Sequence, residues 1–142
     1  MACPLFIPSS PAGELVSAAM PLGDLYDGTC AADPLFAIPA DTLRRYCNFG
    51  YARGYCGLAS QSDADATRFL VTAGRAGMVE IAWAVERNHH PVAVGTMEID
   101  TSFAAALADP LKCQARACAA AYARRSDAGQ PYAGRNDAAA HP

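Results

Sequence analysis

A chain of 142 residues with a formal net charge of −3 is sized for one domain and has no global basic field to draw it to nucleic acid or anionic lipid. Its 52% hydrophobic content is inflated by 32 alanines; without them about 30% strongly apolar residues remain, enough for a modest core. No apolar run nears the roughly 18 residues that cross a bilayer, and the opening MACPLFIPSSPAGEL has no basic leader and is broken by prolines, so a soluble cytoplasmic protein is expected.

Residues 1–40 are rich in proline and glycine, from Pro4 and Pro8 to Pro34 and Pro39, which limits any regular element to a short one. The same segment carries Leu5, Phe6, Ile7, Leu22, Leu25 and Tyr26, which favour burial, so something must hold this arm to the rest. Asp41 then reads as an N-cap for a short helix, with Leu43, Tyr46 and Cys47 on one face and Gly50 as its stop. From Thr67 the pattern changes to three strands, with a Gly-bearing turn and an Asn88-His89-His90-Pro91 turn between them. In the central strand Val79, Ile81, Trp83 and Val85 alternate with Glu80, Ala82, Ala84 and Glu86, giving one buried face and one more polar face. A short helix is expected near residues 103–108. Asp109-Pro110 then opens a longer helix with Leu111, Ala115, Cys118 and Tyr122 as its apolar stripe and Arg124-Arg125 near its C-terminal dipole. The tail 126–142 lacks core residues and reads as disordered.

The fold expected from this order is α+β. An irregular Cys/Pro/Gly-rich N-terminal half, residues 1–66, packs on a three-stranded antiparallel β-meander with a C-terminal helix, residues 67–125.

Six cysteines in a reducing compartment point to metal or redox chemistry more than to disulfides. Cys113 and Cys118 stand five apart on a helix, about 140° round the axis, and do not share a face; Cys118 belongs to the apolar stripe, where cysteine acts as a small hydrophobe. Cys3, Cys30, Cys47 and Cys56 remain, spaced C-x26-C-x16-C-x8-C, the number of thiolates that a tetrahedral zinc or an iron–sulfur cluster requires. All four lie in the half with the poorest hydrophobic anchoring, where a bound metal would contribute most to folding. Structural zinc favours C-x2–4-C pairs, and none is present. A [4Fe–4S] cube is wider and can be reached from separate segments, so a [4Fe–4S] protein with Cys3, Cys30, Cys47 and Cys56 as ligands ranks ahead of a zinc-stabilised binding module. Unrelated buried thiols are the bland alternative.

Other features rank lower. Glu86 with His89 or His90 could form an acid–base pair, although polar residues in a hairpin turn are the ordinary expectation. Asp63 and Asp65 form a D-x-D pair without the rest of an EF-hand loop, and a solvated turn is the simpler reading. Arg44, Arg45, Tyr51, Arg53 and Tyr55 make a basic, aromatic patch of the kind that stacks on single-stranded nucleic acid. Packing over a cluster, with the arginines offsetting thiolate charge, needs fewer assumptions. A homodimer through the sheet edge or the alanine-rich helix, or another protein partner, is compatible with this pattern; no substrate is named by it.

Overall fold

The computed structural model describes residues 1–12, 20–101 and 108–127. Strands β3 (Ala66–Arg75), β4 (Met78–Arg87) and β5 (His90–Asp100) pair antiparallel in the order β3-β4-β5, the meander that the alternation in Val79–Val85 implies. Val79 and Ile81 are buried while Glu80 is exposed. Two-residue turns join the strands. Gly77 takes φ 75° in the first, and Asn88 and His89 take φ 50° and 64° in the second, the doubly left-handed geometry whose twist matches a hairpin. His90 and Pro91 therefore belong to β5 rather than to the turn.

Helix α2 (Pro110–Asp127) opens as its sequence predicts, with Asp109 Oδ1 accepting the Leu111 N–H at 3.0 Å. It is buried on two sides. Ala115, Cys118, Ala119 and Tyr122 pack on Val71, Val79 and Ile81 of the sheet, with Phe69, Met97 and Ile99 at the margin. Ala117 joins a second cluster with Ala2, Cys3, Phe6, Leu22 and Tyr26. The small side chains let backbones approach closely on both sides, so α2 is the shared wall of two small cores.

The N-terminal half is more regular than its composition suggests. β1 (Phe6–Pro11) and β2 (Tyr26–Cys30) form a two-stranded antiparallel sheet in which Phe6 pairs with Cys30 and the register shifts at Ser9. The prolines do not prevent this, because a two-stranded ribbon consists of edges, where a missing N–H is tolerated. Several protein contacts hold the arm. Ala2 bridges Thr67 of β3 through backbone bonds of 2.7 and 2.8 Å. Gln114 of α2, fully buried, donates through Nε2 to Cys3 O at 2.8 Å and Phe6 O at 2.7 Å, and its Oε1 accepts from Thr67 Oγ1. Tyr26 OH donates to Ala117 O at 2.8 Å. Buried Asp24 pairs with Arg124 and Arg125 at the helix end. The arm thus has several reasons to stay in place besides a metal.

Ahead of the sheet lie α1 (Ala40–Thr42), a continuous five-residue π-helical segment Leu43–Cys47, and a 3₁₀ turn Ala59–Gln61. The helix starts after Pro39, one residue before the Asp41 cap expected from sequence, and Asp41 sits in the first turn with no side-chain cap bond. The expected short helix at 103–108 falls on residues outside the described ones, apart from Ala108, which is not helical. Of the tail, residues 126 and 127 complete α2 and the rest lie outside the described residues. No helix among the described residues is long and apolar enough to cross a membrane.

Candidate metal centre

Four segments, each fixed for its own reason, deliver the four cysteines. Cys3 follows the Ala2–Thr67 bridge, and its N–H donates to Cys47 O at 3.0 Å, tying the first cysteine segment directly to the third. Cys30 ends β2, held opposite Phe6, and the next N–H, of Ala31, reaches Leu5 O at 2.8 Å. Cys47 closes the π segment, where the Asn48 N–H spans back to Leu43 O at 3.2 Å. Buried Asn48 then clamps the turn to β2: its Oδ1 accepts the Tyr26 N–H at 3.0 Å, and its Nδ2 donates to Tyr26 O and Leu43 O. Cys56 sits in the turn that follows, its N–H bonded to Ala52 O at 2.9 Å.

Between Cys47 and Cys56 the chain reverses through Gly50 and Tyr51, both left-handed, at φ 76° and 55°. A Cβ on Gly50 would lie 2.8 Å from Ala66 Cβ and 3.0 Å from Ala2 O, so glycine is required here on steric grounds as well. Tyr51 pays about 1 kcal/mol or more for its conformation. Three contacts hold it: its N–H to Asp65 O at 2.8 Å, its OH to Glu86 Oε2 at 2.8 Å, and a stack on His89 with centroids 4.3 Å apart.

Cys3, Cys30, Cys47 and Cys56 all line one pocket, together with Leu5, Phe6, Phe36, Ile38, Tyr46 and Leu58 among others. The cavity itself is small, about 20 Å³, and is partly open to solvent. All six cysteines of the chain are thiols. Cys3 is buried and the other three pocket cysteines are half-buried. Burial first, and then the neighbouring Cys3, Cys56 and Cys30, together push the Cys47 thiol up to about 12. Cys3 is raised chiefly by burial as well, and by Cys30 and Cys56, while the Leu5 and Phe6 backbone acts in the opposite sense. Cys3 and Cys47 are therefore each within electrostatic reach of Cys30 and Cys56. Among the described residues, no three His, Cys, Asp or Glu form a group that could hold a metal ion.

Cys113 and Cys118 lie elsewhere, on α2. Cys118 is fully buried in the core against the sheet and Cys113 is half-buried.

The basic and aromatic patch divides in two. Arg53 turns away from the pocket to Asp65 Oδ1 at 3.1 Å and Ser62 O at 2.8 Å. Tyr51 likewise faces Glu86 and His89. Neither lines the pocket wall, contrary to the role expected for the loop's arginine. Tyr46 does line it, and Tyr46 stacks on Tyr55 with centroids 5.1 Å apart. Arg44 and Arg45 are exposed on the π segment.

Glu86 is 6% exposed, and both carboxylate oxygens are engaged, one by Arg68 Nε at 2.9 Å and the other by Tyr51 OH. Tyr51 stands between it and His89, whose N–H donates to the same hydroxyl at 3.0 Å. Asp65 is not in a solvated turn: it is buried and accepts the Asn88 N–H at 2.9 Å and Arg53. The Asn88 N–H, with Arg53 next, holds its carboxyl below the usual range. These groups fasten the cysteine loop to the second hairpin turn, and the geometry does not set up a Glu–His proton relay or a D-x-D cation site.

Gln114 and Asn48 are the residues of the site's frame that sequence reasoning missed. Each is a polar residue beside a cysteine in an otherwise apolar helical pattern, and that placement was the available signal. No family model, curated protein or solved structure gives a significant match to the chain.

Proposed function

We propose that the chain is a small iron–sulfur protein whose [4Fe–4S] cluster is held by Cys3, Cys30, Cys47 and Cys56 and carries single electrons. The observation behind this reading is that four cysteines from four separately anchored segments line one apolar pocket. The cysteine spacing favours a cluster over a single zinc ion, because it lacks the close cysteine pairs of structural zinc sites.

An electron-carrying role is favoured over a purely structural one because the arm is already held by Gln114, Asn48, Tyr26 and β1–β2 pairing. The pocket also opens toward solvent, within reach of a redox partner. A cluster held by Cys3, Cys30, Cys47 and Cys56 would supply a one-electron change, with the apolar lining limiting the access of water. Anaerobic purification followed by iron and sulfide analysis and a visible spectrum tests the reading. Four irons and four sulfides per chain, a brown colour and bleaching on reduction are expected. A colourless protein with one zinc per chain would replace the cluster with a zinc-stabilised module, and metal-free folded protein of the same stability would remove both.

A further inference from the structure

Two of the four pocket cysteines are neighbours along the backbone contacts as well as in the cavity wall. The Cys3 N–H donates to Cys47 O at 3.0 Å, and among the described residues no other two of the four are joined in this way. In paired strands, such a bond goes with Cα atoms roughly 5.5 Å apart, inside the span of roughly 4.4–6.8 Å that a disulfide bridges. Both residues line the same cavity, whose volume of about 20 Å³ leaves room for about one water molecule between the groups around it. After burial, Cys3 is the largest influence on the Cys47 thiol, ahead of Cys56 and Cys30. Each residue is also anchored from outside the pair, Cys3 by the Ala2–Thr67 bridge and Gln114, Cys47 by the Asn48 clamp. The frame therefore brings the two residues together without a bond between their sulfurs.

We infer that Cys3 and Cys47 form a reversible disulfide, made by exchange with a low-molecular-weight disulfide and closing the N-terminal arm onto the π segment. The inference goes beyond the cluster reading and does not need it, since two sulfurs and no metal take part. Cys47 is half-buried on a cavity that opens to solvent, whereas Cys3 is buried, and this sets the order of events. The Cys47 thiol loses its proton, and its sulfur attacks one sulfur of the small disulfide. That S–S bond breaks, and the leaving thiolate takes up the proton. Cys3 then attacks Cys47 Sγ, the mixed disulfide breaks, and the second small thiol leaves with the Cys3 proton. Two electrons pass from the protein to the small disulfide, which departs as two thiols. Burial raises both protein thiols, so the exchange is slow, on the order of hours. The link closes the loop from residue 3 to residue 47 and restrains the arm by a route separate from Gln114. It also removes both sulfurs as thiolate ligands, so the linked chain holds no cluster.

The test is incubation of the purified full-length protein in a graded series of reduced and oxidised glutathione, then acid quench, thiol alkylation and mass spectrometry. Cleavage after Arg44 and Arg53 and before Asp24 puts Cys3, Cys30, Cys47 and Cys56 on four different peptides, so each pairing is read directly. The oxidised chain should be lighter by two hydrogens, carry a linked Cys3–Cys47 peptide pair, and recover both thiols when reduced glutathione is in excess. Cys113→Ser should leave the link unchanged, and Cys3→Ser should hold glutathione on Cys47. In Gln114→Leu, which loosens the arm, oxidation should raise the urea midpoint by about 1–2 M; an unchanged midpoint in the linked variant overturns the restraint on the arm. Free thiols at Cys3 and Cys47 throughout the series, a link between any other pair, or glutathione that stays on Cys47 of the wild-type chain overturns the disulfide. Iron measured on the same preparation separates the two readings. Bound iron with no link sinks the disulfide alone, and a link in a chain that never holds iron supports the disulfide while sinking the cluster.

Discussion

Replacing Gln114 by leucine should separate the N-terminal arm from the rest of the molecule. The amide joins α2 to Cys3 O, Phe6 O and Thr67 Oγ1 in a fully buried position. Leucine is similar in volume and leaves all three unserved by it. Cys3 O keeps the Phe6 N–H at 3.0 Å, and Thr67 Oγ1 keeps Ala2 O at 3.2 Å, so Phe6 O takes the main loss. One stranded buried carbonyl costs about 1–3 kcal/mol, and each remaining net hydrogen bond about 1 kcal/mol, partly offset by the apolar side chain. A destabilisation of about 2–4 kcal/mol follows, a large part of the margin of a domain this size. Near this chain length it corresponds to a Tm lower by roughly 5–15 °C. Urea denaturation followed by circular dichroism measures it, with iron content determined on the same preparation at a temperature where the variant stays folded. Iron should fall as well, because the amide fixes the segment bearing Cys3. A change below about 0.5 kcal/mol would refute the argument that α2 holds the arm. Lost stability with full iron would show that Cys3 is placed by other contacts.

Serine at Cys30, Cys47 or Cys56 should remove most of the visible absorbance and iron, whereas Cys113→Ser should keep both; Cys118→Ser should lower stability through its buried core site yet leave iron bound. The metal-free protein should become less stable as pH rises. Burial raises the folded-state Cys47 thiol to about 12 from an ordinary value near 9, and Cys3 is also raised, so between these limits the unfolded chain loses protons that the folded chain retains. The stability is present below about pH 9, fades through the alkaline range, and is read from urea midpoints at a pH series. The loaded protein, whose ligands are thiolates, should not show this alkaline loss. Tyr51→Phe removes the hydroxyl that serves both Glu86 and the His89 N–H and should cost about 1–2 kcal/mol, detectable as faster amide exchange in residues 50–56 and 86–89.

The meander and α2 were legible because their signals are local: strict alternation through Val79–Val85, and an Asp-Pro start followed by apolar spacing. The grouping of the four cysteines followed from chemistry rather than pattern, through the number of thiols and their shared poorly anchored half. β1 and β2 were not legible, because Pro8, Pro11 and Gly28 read as breakers, and what permits strands there is pairing between residues about twenty apart. The division of the Arg/Tyr patch was equally hidden. Whether Arg53 faces the pocket or Asp65 depends on the left-handed turn at Gly50-Tyr51, which sets the direction of everything after it. Gln114 falls outside the single apolar stripe expected for this helix, whereas α2 has two buried sides.

The bond from Gln114 to Cys3 also bears on the order of events during synthesis. The candidate ligands emerge from the ribosome by residue 56, but the helix that fixes the first of them begins at Pro110 and follows the whole meander. Ala2 is paired with Thr67 of β3, so the nascent N-terminal half has neither of the two surfaces on which its arm rests. The pocket therefore forms after translation of α2, as a late, long-range step. On the cluster reading, loading would belong to the finished chain, and a fragment of residues 1–66 should neither hold the arm in place nor retain iron.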